Sequence, residues 1–98
     1  MNRARFIADA RREFLAEVGY YEQAAAGSGA RFAAAVQEAA ARALAFPLAG
    51  SPAEAGTRRV IVKGFPFSLF YRPDQDGIII FAVAHQARQP GYWRSRTR

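Results

Sequence analysis

Apolar and polar positions follow one period in the first half of the chain and another in the second. From Asp9 onward, Phe14, Val18 and Tyr21 recur at spacings of four and three, with Leu15 beside them. That spacing falls on one face of a helix and predicts one from Asp9 to about Ala26. Asp9 is the expected N-cap, and Arg12, Glu13 and Glu17 are expected to face solvent. The "AGSG" stretch ends the helix, because Gly27 and Gly29 accept the backbone geometry of a terminus. Ser28 is placed to cap a second helix, "SGARFAAAVQEAAARALAF", whose larger apolar residues Phe32, Val36 and Leu44 stand among many alanines. Alanine is the strongest helix former, and its small side chain lets two helices approach closely. The short Gly-Ser loop between the two predicts an antiparallel hairpin. Pro47 ends the second helix, and a Pro-, Gly- and Ala-rich loop runs on to Gly56.

Beyond Gly56 the period shortens to two. "RRVIVKG", "FSLFYR" and "GIIIFAVAH" are rich in β-branched and aromatic residues, and turn signals separate them. Gly64 and Pro66 break the first from the second, and "RPDQDG", Arg72 to Gly77, reads as a hairpin turn. In the second run Phe67, Leu69 and Tyr71 fall on one face, and Ser68, Phe70 and Arg72 on the other. The third, Ile78 to Ala84, is almost continuously apolar, as a central strand buried on both faces should be. A short strand is expected at "RARFI", residues 3–7. The order is therefore β-α-α-β-β-β, an α+β fold with a small antiparallel sheet and a helical hairpin packed on one face. A single domain spans residues 1–98, with 94–98 expected to fray as a basic tail without an apolar partner.

Composition supports a packed core: 51% of the 98 residues are hydrophobic and 13% aromatic. Cysteine is absent, which removes disulfides, thiol nucleophiles and Cys-based zinc sites. "MNRARFIADARREF" interrupts its apolar residues with charges and has no signal-peptide core, and no window approaches the ~20 apolar residues of a membrane span. A cytoplasmic protein is expected. The net charge of +6 is unevenly placed. Six arginines and six acids cancel up to Gly56, whereas seven arginines and Lys63 face only Asp74 and Asp76 beyond it. A one-sided basic surface attracts polyanions, whether nucleic acid or an acidic protein segment.

Few motifs carry chemistry. GxGxxG, P-loop, HExxH and CxxC patterns are absent, and one histidine cannot assemble a metal site with the acids available, so neither metal nor cofactor is expected. The remaining candidates gather in "VAHQARQPGYWRSR", residues 83–96. His85 is the one histidine, the residue type most often used for proton transfer, and arginines beside it suit a phosphate. The alternatives are structural: His85 bonding a neighbouring backbone group at the strand end, and Tyr92 and Trp93 packing over the end of the sheet.

Taken together, "YYE" (Tyr20, Tyr21, Glu22), "ARF" (Ala30, Arg31, Phe32), "RRVIVKGFPFSLFYR" and "AVAHQARQPGYW" resemble the RelE/ParE superfamily of bacterial toxins. The likeness is greatest to the plasmid-stabilisation branch, where "FPY.I.YR" and "AV.H..R.PGYW" are typical. It extends from the first helix to Trp93. Phe67 stands where a tyrosine is commoner, and Gln86-Ala87-Arg88 replaces a more basic run.

The resemblance implies the toxin of a type II toxin-antitoxin system, with a cognate antitoxin as partner. A ParE-like member would bind an essential target such as DNA gyrase. A RelE-like member would cut mRNA on the translating ribosome, with His85, Arg88, Arg59 and Tyr92 as the implied catalytic set. Against the second, the strand position where RelE-like nucleases carry a key arginine falls at Ser68, and the sheet offers no carboxylate as base. Arg58, Lys63, Arg72, Arg88, Trp93, Arg94 and Arg96 are the residues expected to bind antitoxin or target. The ParE-like toxin is the first expectation, the mRNA endonuclease its alternative, and a non-toxic relative surviving as a binding module the third.

Overall fold

A computed structural model describes residues 2–98. The chain runs β1 (Arg3–Phe6), α1 (Ala8–Ala24), α2 (Ser28–Ala45), β2 (Ser51–Pro52), β3 (Arg58–Val62), β4 (Phe67–Asp74) and β5 (Gly77–His85). Short 3-10 turns at Glu54–Gly56 and Arg94–Thr97 complete it. The result is an α+β fold, with two helices on one five-stranded sheet of order β1-β5-β4-β3-β2, consistent with the RelE/ParE-like layout. Among the described residues no helix is long and apolar enough to cross a membrane.

The sheet is mixed rather than wholly antiparallel. β1 lies parallel to β5, with Arg3 opposite Gly77 and Phe6 opposite Ile80. Tight hairpin turns force antiparallel neighbours, as in β3-β4-β5, but β1 reaches the sheet through two helices that leave its direction open. A two-residue strand, β2, also forms inside the expected loop and pairs with Arg58 and Arg59. At the β4–β5 turn Gly77 has φ +136, and a Cβ there would strike the backbone of Arg3. Glycine at this position is what lets β1 come in beside β5.

The helix ends differ from expectation in their capping. α1 begins at Ala8 and Asp9 lies inside its first turn, where it pairs with Arg12. A carboxylate there complements the positive end of the helix without acting as a cap. Gly27 precedes α2 in the left-handed region, with φ 86, and Ser28 is already helical. The cap comes from across the hairpin. The Glu22 carboxylate accepts the Gly27 and Gly29 N–H groups at 3.1 Å, satisfying donors that the start of α2 leaves open. Gly29 is buried against the Val18 carbonyl, so the helices meet nearly backbone to backbone there.

The core lies between the hairpin and one face of the sheet. Phe32, Val36, Ala39 and Ala43 from α2 pack on Val60, Val62, Phe67, Leu69 and Tyr71. Phe32 stacks on Tyr21 at 5.0 Å and meets Phe65 and Phe67 edge-on at 5.1 and 5.0 Å. Phe67, Leu69 and Tyr71 share the helix side, as the alternation predicts. In β5 the alternation is broken by a bulge. Phe70 pairs with Ala82 and Tyr71 with Ile80, so Phe81 is the extra residue. Ile78, Ile80 and Val83 therefore face the helices, while Ala82 and Ala84 join Trp93 in a second, smaller cluster on the opposite side.

Candidate functional site

The sheet face away from the helices carries two cross-strand rows. One is Ile61, Ser68 and Ala84, and the other is Arg59, Phe70 and Ala82. Trp93 covers the second row. It is 2% exposed and stacks on Phe70 with ring centroids 4.5 Å apart. In the first row Ser68 and Ala84 are small, and the space above them is a cavity of ≈ 320 Å³. Phe70, Trp93, Tyr92, Arg59 and Arg88 border it, together with Glu54 from the 3-10 turn after β2. The Ser68 hydroxyl is buried there with no hydrogen-bond partner.

The Pro90-Gly91 turn brings Trp93 back over the sheet. Gly91 has φ 73, and a Cβ at this point would strike the Glu54 carboxylate and approach Arg94 Nε to 3.0 Å. Glycine thus serves both the left-handed backbone and the close passage beneath Glu54. Glu54 in turn pairs with Arg94 at 3.7 Å.

Glu13, expected in solvent, is largely buried between α1, β5 and the C-terminal turn. Its Oε1 accepts the Val83 N–H at 3.0 Å and Arg96 Nη1 at 3.0 Å, and its Oε2 accepts Arg96 Nη2 at 3.1 Å. The Tyr92 hydroxyl donates to the same Oε2 at 2.6 Å. Arg96 Nη1 also donates to the Phe81 carbonyl at 3.0 Å. β1 pairs with β5 only as far as Ile80, so beyond it a carboxylate and a guanidinium take the place of a neighbouring strand. Burial, then the hydrogen bond and charge of Glu13, push the Tyr92 phenol well above its usual value, against the opposing charges of Arg88 and Arg96. Residues 94–97, expected to fray, form a 3-10 turn held by this pair.

The cations expected to bind a partner divide into two sets. Arg58 Nη1 donates to the carbonyls of Leu48 and Gly50 at 3.0 and 2.8 Å, and so holds the loop after α2. Arg72 reaches the Ala55 and Thr97 carbonyls at 3.4 and 3.1 Å and lies over the Phe81 ring. Arg94 and Arg96 are paired with Glu54 and Glu13. Trp93 is buried. Arg59, Lys63 and Arg88, by contrast, are exposed, and their side chains make no hydrogen bond or ion pair among the described residues. Arg88 instead lies over the Tyr92 ring, 3.9 Å from its centroid.

The four residues of the implied nuclease set, Arg59, His85, Arg88 and Tyr92, all border the one cavity. Of these, His85 Nδ1 and the Tyr92 hydroxyl are engaged elsewhere. His85 is paired with Phe67 on the helix side of the sheet, edge-on to its ring at 5.0 Å. Its Nδ1 accepts the Ala87 N–H at 2.9 Å, so the neutral ring carries its proton on Nε2. The Tyr92 proton is held by Glu13, which does not border the cavity. Glu54 is a carboxylate at the rim that strand patterning did not reveal, because it comes from the loop. Among the described residues no group of three or more His, Asp or Glu is placed to hold a metal ion.

A family model described as ParE toxin of type II toxin-antitoxin system, parDE, matches residues 5–90. A search of curated proteins returns no significant match. The matched span takes in the end of β1, both helices, β2 to β5 and the turn up to Pro90. The chain belongs to the ParE toxin family of type II toxin-antitoxin systems.

Proposed function

We propose that this toxin arrests growth by binding an essential protein target, DNA gyrase being the foremost candidate, and that a cognate antitoxin neutralises it in the cytoplasm by covering the same basic face. The observation that carries this is the engagement of the groups a nuclease would need. The His85 Nδ1 holds a backbone N–H, the Tyr92 hydroxyl holds Glu13, and a serine occupies the strand position expected for a catalytic arginine. What stays available is Arg59 and Arg88 at the rim of an apolar cavity, with Lys63 exposed as well, a set suited to recognition rather than proton transfer. Gyrase supercoiling in the presence of the purified toxin tests the proposal. Loss of supercoiling, restored by antitoxin, is expected. Unchanged supercoiling alongside cleavage of mRNA in a translating extract overturns it.

A RelE-like endonuclease is the second reading, favoured by the convergence of Arg59, His85, Arg88 and Tyr92 on one cavity with Glu54 at its rim. In that case His85→Ala and Arg88→Ala abolish growth arrest in folded protein. Normal growth on induction of the wild-type chain would instead favour a non-toxic binding module.

A further inference from the structure

We propose that the cavity above Ser68 and Ala84 is an anchor site for an acidic peptide segment of a partner protein, taking one apolar side chain between flanking carboxylates. The inference rests on the binding role proposed above and adds the chemistry of what is bound.

The floor defines the occupant's shape. Ser68 and Ala84 are neighbours on adjacent strands, and their short side chains leave the ≈ 320 Å³ space that Phe70 and Trp93 wall off. That volume is at the small end of ligand sites and suits a single side chain rather than a folded element. The apolar surface continues past the cavity. Ile61, opposite Ser68 on β3, is 49% exposed and extends the row along the path a peptide would take. Ser68, 3% exposed, lines this space, and its hydroxyl has no hydrogen-bond partner. Arg59 and Arg88 stand at the rim with N–H groups uncommitted, whereas the Glu54 carboxylate at the same rim is paired with Arg94, so the unpaired charge there is positive and selects carboxylates over ammonium groups.

A single-stranded nucleic acid fits less well. Sequence-tolerant strand binding uses open aromatic faces on which bases stack. Trp93 is buried against Phe70, and Tyr92 already carries the Arg88 and Arg96 guanidiniums over its ring at 3.9 and 5.2 Å. The aromatics at this site are walls rather than platforms.

Amide shifts of the full-length, isotope-labelled protein test the proposal, with blocked Glu-Leu-Glu, Glu-Ser-Glu and Lys-Leu-Lys tripeptides and a short oligouridylate as probes. Glu-Leu-Glu is expected to move the Ser68 and Ala84 amides and the Trp93 indole, with a Kd of the order of 1 mM for one isolated anchor. Arg88→Ala is expected to weaken it about tenfold by removing a charge-assisted hydrogen bond. Ala84→Leu fills the floor and is expected to abolish the shifts. Unchanged Trp93 emission and thermal midpoint in Arg88→Ala confirm that the fold is intact.

Equal shifts with Lys-Leu-Lys, equal shifts with Glu-Ser-Glu, shifts away from the cavity, or shifts at Ser68 and Ala84 with oligouridylate alone would each overturn the proposal. The gyrase assay is independent of this one. Peptide binding without gyrase inhibition would leave the anchor standing and remove the target. Gyrase inhibition without peptide binding would do the reverse.

Discussion

Glu13 and Arg96, 83 positions apart, form a two-point ion pair at 3.0 and 3.1 Å that joins the first helix to the last turn and closes the open edge of β5. Each side chain also bonds the β5 backbone, Glu13 through the Val83 N–H and Arg96 through the Phe81 carbonyl. Both are mostly buried, with side-chain exposures of 16% and 18%. Removing one partner leaves the other charged group and a strand edge without partners. Glu13→Ala and Arg96→Ala should each cost about 3 kcal/mol, and the double variant clearly less than their sum. Urea unfolding of the three variants measures the coupling. Additive losses would show that the pair does not act as a unit.

Tyr92 should report on the same junction through pH. Its phenol is raised above the ordinary 10.0 by burial first and by Glu13 second. Below the unfolded value both states keep the proton, so this stabilisation is complete there. As pH rises above about 10, the unfolded chain loses the proton first and stability falls. Phenolate absorbance should show Tyr92 ionising late, and Glu13→Gln should bring that transition closer to 10 without abolishing the part due to burial.

Arg58 and Arg59 are consecutive in sequence and should behave as opposites. Arg58 holds two loop carbonyls, and Arg58→Ala should destabilise by about 1.5–3 kcal/mol through lost charge-assisted hydrogen bonds. Arg59→Ala should leave stability within about 0.5 kcal/mol. In an affinity measurement against the antitoxin the order should invert once Arg58→Ala is corrected for unfolding, with Arg59→Ala weakening the complex and steepening nothing in its thermal unfolding.

Ser68→Ala should raise the thermal midpoint, with a gain of up to about 1 kcal/mol from removing a buried hydroxyl that has no partner. A fall in the midpoint would mean that the hydroxyl is satisfied in solution.

Gly91→Ala should cost about 1–3 kcal/mol, because it imposes the left-handed backbone on a residue with a Cβ and drives that carbon against Glu54. Since the turn positions the only tryptophan, Trp93 emission should shift to the red as the indole lifts from Phe70.

The element order was legible in the sequence because local rules decide it. The spacing of Phe14, Val18 and Tyr21 marks one helix, the alanine-rich run marks the next, and β-branched residues between Gly and Pro signals mark the strands. The same alternation placed Phe67, Leu69 and Tyr71 on the core side and Ser68 and Phe70 on the other, and there the structure agrees. Local pattern could not assign the β1 direction, since that depends on what lies beside β5 after two intervening helices. Nor could it foresee the bulge at Phe81, which turns Ala82 and Ala84 to the free face and makes the cavity floor.

Charge behaved in the same way. The excess of arginine after Gly56 is plain from composition, but its availability is not. Tertiary structure commits Arg58, Arg72, Arg94 and Arg96 to carbonyls and carboxylates brought near by folding, and leaves Arg59, Lys63 and Arg88 outward. Glu13 is the clearest instance. On a helix surface pattern it is one more solvated acid, and only the meeting of α1, the open edge of β5 and the returning chain end gives it three sets of donors. The sequence by itself determined helix, strand, turn and core face, because those follow from neighbours along the chain. Which polar groups hold the fold and which remain for a partner was decided by contacts between residues distant in sequence, and so only by the tertiary structure.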